Sequence, residues 1–347
     1  MAHGYKMVQW NAFKKRYDVV LLLGIATYLS VFVAVTHFAF APDQAMTLVQ
    51  VLIRAFGSCA FGLLTLILAI GPLARLSPRF LPLLYNRRHL GVACFLLALV
   101  HAALAIVWYQ GFSDINPFLA LLISNPRYTS IDGFPFESLG AVALAILFVM
   151  AATSHDFWNT NLGPTFWKTL HMGVYVTYAL LVAHIALGVI QSEKSPVYIA
   201  LLAAAVAGVA GLHMLTGARE RKRDLTADSE ADGWIKVGAA RDMPDNRARI
   251  VVPPQGERIA VFRYGNKVSA VSNVCRHQGG PLGEGRIVDG CIICPWHGFQ
   301  YRPESGTSPP PYNEKIATYR TKIEGGVVYV HATAMAPGTT VAPSMIV

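Results

Sequence analysis

The sequence predicts a multidomain membrane protein, a six-helix transmembrane bundle followed by a small all-β domain. Three observations lead there. Only 14% of the 347 residues are charged and 54% are hydrophobic, where a soluble domain carries roughly 25% charged residues. The charge is uneven: residues 1–216 hold 12 Lys/Arg and 7 Asp/Glu, and residues 217–347 hold 17 and 13. Apolar stretches of about 20 residues, the length that crosses a bilayer's hydrocarbon core, recur six times and stop at residue 216.

The first segment, 1–18, is polar and basic and has no cleavable signal pattern, so it is expected to stay in the mature chain. The bundle, 19–216, holds the apolar segments 19–40, 48–71, 89–109, 136–153, 165–190 and 197–216, of which the fourth is the shortest. Polar connections such as Ala41-Pro42-Asp43-Gln44 and Ser192-Glu193-Lys194 separate them. Orientation follows from the Lys/Arg bias of short loops. Lys6, Lys14, Lys15, Arg16, Arg75, Arg79, Arg87, Arg88, Lys168, Arg219, Arg221, Lys222 and Arg223 fall on one side, and only Arg127 and Lys194 on the other. Both termini are therefore expected in the cytoplasm, with the chain in the cell's inner (plasma) membrane. This topology accounts for the pI of 9.4. The cations are spread along the chain with no nucleic-acid motif, so the expected partner is the lipid bilayer and not nucleic acid.

Residues 217–233 read as a charged linker. From Trp234 the pattern turns to short β-type runs, IVVPP, RIAVFRYGNKVSAVSN, GCIICPWHG and GVVYVHA. Tyr264-Gly265-Asn266-Lys267 and Glu324-Gly325-Gly326 look like hairpin turns. An all-β domain over 234–333 is expected, with 334–347 as a tail.

Five cysteines are too few and too irregular for a disulfide framework. Cys59 and Cys94 lie in apolar runs, where free thiols act as small hydrophobes. Cys291, three residues before Cys294 on a strand, reads as core packing. Cys275-Arg-His277 and Cys294-Pro-Trp-His297 are separated by sixteen residues, so each of two loops offers one thiolate and one imidazole. That donor set suits a two-iron cluster with both thiolates on one iron and both imidazoles on the other. Glycines 279, 280, 283 and 298 let the backbone approach the sulfides. A structural zinc site is the competing reading. Zinc usually draws such ligands from a C-x2–4-C pair and an H-x3–5-H pair, and the interleaved order here fits that poorly.

Residues 234–333 resemble Rieske [2Fe–2S] ferredoxins and the small Rieske-type subunit of nitrite reductases. CRHQGGPL and CPWHGFQY match the two ligand boxes, and Gly306 with Pro309-Pro310 matches the third loop. The resemblance implies Cys275, His277, Cys294 and His297 as iron ligands. High-potential Rieske proteins add a disulfide between the loops. Gly280 and Trp296 stand at those cysteine positions here, and Gly298-Phe299 replaces Gly-Ser, which implies a potential towards the low end of the roughly −150 to +300 mV range.

Intramembrane histidines are functional candidates by default. The third span carries His89 at its cytoplasmic start and His101 inside; the fifth carries His171 near its start and His184 deeper. At about 1.5 Å per residue, His101 lies roughly 18 Å beyond His89 and His184 roughly 19.5 Å beyond His171. The matched depths suit b-type haem, one or two, with axial imidazoles from neighbouring helices. Helical phase turns the two histidines of each helix in different directions. The favoured site is therefore His101 with His184, and a second would use His171, with His89 as its partner. His89, beside Arg87 and Arg88, reads equally as a headgroup-level residue. His37, His155 and His213 read as span-end residues, and Arg54 as a buried charge that needs a partner such as a haem propionate. The membrane half resembles the ferric reductase-like transmembrane domain, and within it the haem-binding membrane subunit of the periplasmic methionine sulfoxide reductase system. Arg87-Arg-His-Leu-Gly91 with His101, and Trp167-Lys-Thr-Leu-His171-Met-Gly-Val-Tyr175 with His184, carry that resemblance. It implies His101, His171 and His184 as haem ligands, while His89 stands where that subunit often has an apolar residue.

No flavin or nucleotide fingerprint follows the helices, and no 2-His-1-carboxylate iron site is present. An electron carrier is expected, a component of an oxidoreductase with no catalytic residue of its own. A cytoplasmic reductase or ferredoxin would donate, and a redox protein or small molecule on the outer side would accept. The rivals are a terminal metal or oxygen reductase acting at the outer haem, quinol-fed reverse flow to a cytoplasmic partner, and a redox sensor.

Overall fold

Apolar runs of this length fold as helices because the bilayer offers no partner for a backbone N–H or C=O. The computed structural model describes the chain except residues 1–11, 40–45, 81–82, 84–86, 113, 124–126, 132, 155–157, 159–161, 163, 194, 225–231, 255, 278, 297, 311 and 347. The helices are α1 (Ala12–Ala39), α2 (Leu48–Leu76), α3 (Arg87–Gln110), α4 (Pro117–Ile123), α5 (Phe136–Ala152), α6 (Pro164–His171), α7 (Gly173–Leu187), α8 (Val189–Glu193) and α9 (Pro196–Asp224). Among the described residues five helical stretches are long and apolar enough to cross a membrane, Phe166–Glu193 counting as one. The expected fourth span is α5, a shorter apolar helix of 17 residues. The expected fifth span is interrupted at Met172 and Gly188. At Gly188 a Cβ would come within 2.7 Å of the Phe136 ring, so the interruption coincides with close contact between two helices.

Helix α2 is the centre of the bundle. Thr47 and Gln50 form a capping box at its start, and Ile53, Ala55, Leu64, Leu68 and Ile70 are buried along it. It packs against α1, α3 and α9, while α5 packs against α7. Helix α1 instead exposes Val19, Val20, Leu22, Leu23, Val31 and Val35, the surface expected of a lipid-facing span. Cys94 is buried and bonds the Ala60 carbonyl, and Cys59 is buried beside Ala60 and Leu97.

The β-domain is built from β1 (Trp234–Ala239), β2 (Arg247–Val251), β3 (Ile259–Tyr264), β4 (Lys267–Ser272), β5 (Arg286–Val288), β6 (Cys291–Ile293), β7 (Gln300–Tyr301), β8 (Thr318–Tyr319), β9 (Thr321–Glu324), β10 (Val327–His331) and β11 (Ser344–Met345). One sheet has the order β1-β10-β9, a second β11-β4-β3-β2 with β8 also on β4, and a third β5-β6-β7. Both expected hairpins form. Tyr264 pairs with Lys267 around Gly265 at φ 57°, and Glu324 with Val327 around Gly325 and Gly326 at 55° and 75°, the positive φ that such tight turns demand. Ile235, Val261, Val268, Val328 and Val330 form the main core, and Phe262, Leu282, Ile292, Phe299 and Tyr301 a second core beneath the third sheet.

Two boundaries differ from the sequence reading. Helix α9 runs to Asp224, into the segment read as linker. The segment read as a tail returns to the sheet. Strand β11 pairs with Val268 and Lys267, the Val341 N–H donates to the Glu304 carbonyl at 2.8 Å, and Ile346 N–H donates to that of Asn266 at 2.7 Å. A two-residue edge strand after a run containing Pro337 and Pro343 carries too short an alternation to be read as β.

Candidate metal centres

Two loops flank the third sheet, one leading into it from β4 to β5 and one within it between β6 and β7, and they close in the same way. The Cys275 N–H donates to the Gly280 carbonyl at 2.9 Å and Gly279 N–H to that of Cys275 at 2.7 Å. The Cys294 N–H donates to the Phe299 carbonyl at 2.7 Å and Gly298 N–H to that of Cys294 at 2.9 Å. In each loop the glycine four residues after the cysteine has positive φ, 70° at Gly279 and 73° at Gly298, which a side chain resists. The cysteines are therefore held in equivalent positions. Both are buried and free of any disulfide.

The loops meet at Gly280. A Cβ there would stand 2.7 Å from Cys294 Sγ and 3.2 Å from the Trp296 ring, so only glycine admits both loops. His277 is half-buried and its ring stacks on Phe299, 5.2 Å between centroids at 12°. His297, the fourth residue of the expected set, lies outside the described residues. Below the cysteines, Tyr301 is fully buried. Its oxygen accepts from the Arg276 N–H at 3.0 Å and lies 3.5 Å from Cys275 Sγ. Burial and the adjacent thiols push the Tyr301 hydroxyl well above its usual range. Burial also raises the Cys291 thiol, which suits packing better than ligation. Two buried thiols on matched loops, with a hydroxyl against one of them, fit an iron–sulfur cluster.

In the membrane half, His101 and His184 come together, their rings 6.4 Å apart at 86°. That gap leaves room for a metal–nitrogen bond of about 2 Å on each side. Each ring is fixed in the same way. His101 Nδ1 lies 2.8 Å from the Ile53 carbonyl of α2, and His184 Nδ1 lies 2.8 Å from the Phe136 carbonyl of α5. An N–H donated there fixes the tautomer that leaves Nε2 as the ligating atom. Four residues on from each carbonyl stands a glycine. A Cβ at Gly57 would lie 2.8 Å from the His101 ring, and one at Gly140 would lie 2.9 Å from that of His184. The pairs α2–α3 and α5–α7 thus present one arrangement twice, and it fits a metal held between two imidazoles.

The other two histidines have different neighbours. His171 stacks on Trp167 at 3.7 Å, with Nδ1 2.9 Å from the Trp167 carbonyl and Nε2 3.2 Å from that of Met150. His89 Nδ1 lies 2.7 Å from Asp18 Oδ1. Arg54 pairs with Glu193, and His213 with the Tyr175 hydroxyl. Sequence reasoning missed Gly57, Gly140, Tyr301 and the carbonyls of Ile53 and Phe136. A glycine inside an apolar helix was the available signal for the first two.

The cluster loops rest on the basic end of the bundle. Trp296 packs into the group formed by Ile70, Ala74 and Leu90, the Arg87 guanidinium lies 4.5 Å over its ring, Glu284 pairs with Arg75 at 3.6 Å, and Gly279 faces the Lys168 side chain.

The Rieske [2Fe–2S] domain family matches residues 233–320, and the ferric reductase-like transmembrane component family matches residues 56–182. The protein-methionine-sulfoxide reductase heme-binding subunit MsrQ of Enterobacter sp. (strain 638) is 31% identical over 186 residues, 53% of this chain and 85% of that one. Ferredoxin CarAc of Metapseudomonas resinovorans is 31% identical over 98 residues, 28% of this chain and 92% of that one. Cholesterol 7-desaturase nvd 1 of Ciona intestinalis is 33% identical over 90 residues, 25% of this chain. The chain spans 19% of that desaturase and 57% of the MsrQ of Herminiimonas arsenicoxydans.

Proposed function

Because the chain belongs to the MsrQ family of haem-binding membrane subunits and ends in a Rieske [2Fe–2S] domain, we propose that it passes electrons between a cytoplasmic Rieske cluster and b-type haem in the membrane. A cytoplasmic reductase or ferredoxin loads the inner end, and a redox protein or small molecule on the outer side takes the electrons away. The observation that carries this reading is the contact of the cluster loops with the basic end of the bundle, at Trp296, Arg87 and Leu90. Helix α5 counts as a sixth span in this reading. Its 17 residues reach about 26 Å, close to the roughly 30 Å core, and an even count keeps both termini on the basic side.

When bound, the cluster and haem supply one-electron centres, and the chain's work is to hold and space them. Cys275 and Cys294 would ligate one iron, and His277 and His297 the other. His101 and His184 would hold haem through Nε2, their Nδ1 atoms fixed by the Ile53 and Phe136 carbonyls. From Arg87 to His101 is 14 residues of α3, roughly 21 Å. A second haem on His171, near Lys168 and the cluster loop, would divide that gap. For it, His171 must give up the Met150 carbonyl, and His89 would have to leave Asp18 to be its partner.

A redox titration of the purified protein, followed by EPR and visible spectroscopy, tests the reading. The cluster is expected to titrate at a lower potential than the haem, so that the haem is reduced first as the potential is lowered. A cluster lying well above every haem would overturn inward-to-outward flow. One observation favours quinol-fed reverse flow as a second reading. An open groove of about 450 Å³ is lined by Leu29, Ser30, Val33, His37, Leu52 and Phe56, and the last two lie on α2 within one turn of Ile53, whose carbonyl holds His101. Haem reduction by a quinol analogue that is lost in His37→Leu would support it.

A further inference from the structure

We propose that Arg87 is a positioning residue that seats the cluster domain on the membrane domain, through the face of Trp296. The inference rests on the electron-transfer reading above and assigns the contact that spaces its two centres. Trp296 stands between Cys294 and His297 and touches Gly280 of the other loop, so one side chain reports the position of both. Its ring meets the bundle in two ways. The side chain packs against the group of Ile70, Ala74 and Leu90, and the guanidinium of Arg87 lies 4.5 Å over the ring, within cation–π reach. Arg87 is the first residue of α3, the helix that carries His101. It is half-buried, with Arg75, Tyr175 and Cys294 as electrostatic neighbours. It therefore joins a rigid helix of the haem site to the loop of the cluster site. Lysine would keep the charge but lose the planar, weakly hydrated guanidinium. A further polar contact between the domains, Arg75 with Glu284, is 40% and 20% exposed, and such a pair is screened by solvent.

The test uses the full chain carrying both cofactors. Arg87→Ala and Trp296→Leu are each expected to slow one-electron exchange between reduced cluster and haem at least tenfold in rapid-mixing experiments. Cluster EPR and haem content should stay unchanged. The double variant should be no slower than the worse single, because the two residues act through one contact, and Arg87→Lys should fall between. Docking is read separately, as the yield of a short bis-maleimide cross-link between Arg75→Cys and Glu284→Cys, located by mass spectrometry; Arg87→Ala should lower it severalfold. Wild-type exchange in Arg87→Ala, with or without a lower cross-link yield, would overturn the positioning role. An additive double variant would overturn the Trp296 contact as its route. If the wild-type chain exchanges no electron while the cross-link still depends on Arg87, the electron-transfer reading fails and the seat itself stands.

Discussion

At the scale of single residues, the contacts most open to test belong to small side chains. Alanine is ordinarily better than glycine in a helix interior, by about 1 kcal/mol, so Gly→Ala in these spans should be neutral or stabilising. Gly57 and Gly140 are expected to reverse that, because a Cβ at either would press within 2.8 or 2.9 Å of a histidine ring. Gly57→Ala and Gly140→Ala should each lower the haem-to-protein ratio in the visible spectrum. Gly62→Ala and Gly91→Ala, whose added Cβ meets nothing within 4 Å, should leave it unchanged. Equal haem content in all four would remove the proposed pocket walls. Tyr301 allows a second residue-scale test. Its hydroxyl faces Cys275 Sγ, and a donor to sulfur favours the electron-rich reduced state. Tyr301→Phe should lower the cluster potential. A hydrogen bond worth about 1 kcal/mol corresponds to a shift on the order of 50 mV for one electron, readable by EPR titration. An unmoved or raised potential would deny the bond its role.

At the scale of elements, the β-strands and loops separate what the sequence displays from what it hides. Both hairpins were legible because each turn residue has a local conformational reason, glycine at positive φ. The two loops that carry Cys275 and Cys294 were legible for the same reason, since the glycines at positive φ stand at fixed offsets from the cysteines. Strand β11 was not, because its place depends on β4, some 75 residues away, and a two-residue strand has no pattern of its own. The break at Gly188 was hidden likewise, since it coincides with Phe136 on another helix. The fold makes β11 consequential. Thr318 Oγ1 donates to the Thr339 carbonyl, the Thr321 and Ser344 hydroxyls pair, and Ile346 packs against the main core. A fragment of residues 232–347 should fold and take up a cluster, as the likeness to a free-standing ferredoxin over 92% of its length supports. A fragment ending at 333 loses these contacts. At about 1 kcal/mol per hydrogen bond and roughly 4–8 °C per kcal/mol in a domain this size, its melting temperature should fall by at least about 10 °C. Equal melting by circular dichroism would show the last strand to be dispensable.

At the scale of the whole molecule, the sequence told the two halves apart through their charge density and found the His101–His184 pair through matched depth along two helices. Depth is one-dimensional, which is why it could not separate that pair from His89 and His171. Azimuth and neighbours decide the difference. His101 and His184 face each other across 6.4 Å, while Asp18 holds His89 and the Met150 carbonyl stands at His171. The seat of the cluster domain was equally hidden, because Arg87 and Trp296 lie 209 residues apart and neither belongs to a shared pattern. The two proposed metal centres share no ligand, and so they should fail independently. His184→Ala is expected to remove the low-spin haem spectrum of the outer site and leave the cluster EPR signal at full strength. Cys294→Ser is expected to abolish the cluster and leave the haem spectrum in place. In neither variant should electrons supplied by a cytoplasmic-side reductant appear at an outer acceptor, because a chain of centres conducts only when complete. In proteoliposomes with reductant on the β-domain side and an impermeant ferric chelate on the other, both variants should therefore give background rates while the wild type reduces the chelate. Reduction that persists in Cys294→Ser would place the entry of electrons elsewhere than the cluster, and reduction that persists in His184→Ala would take the outer haem off the route.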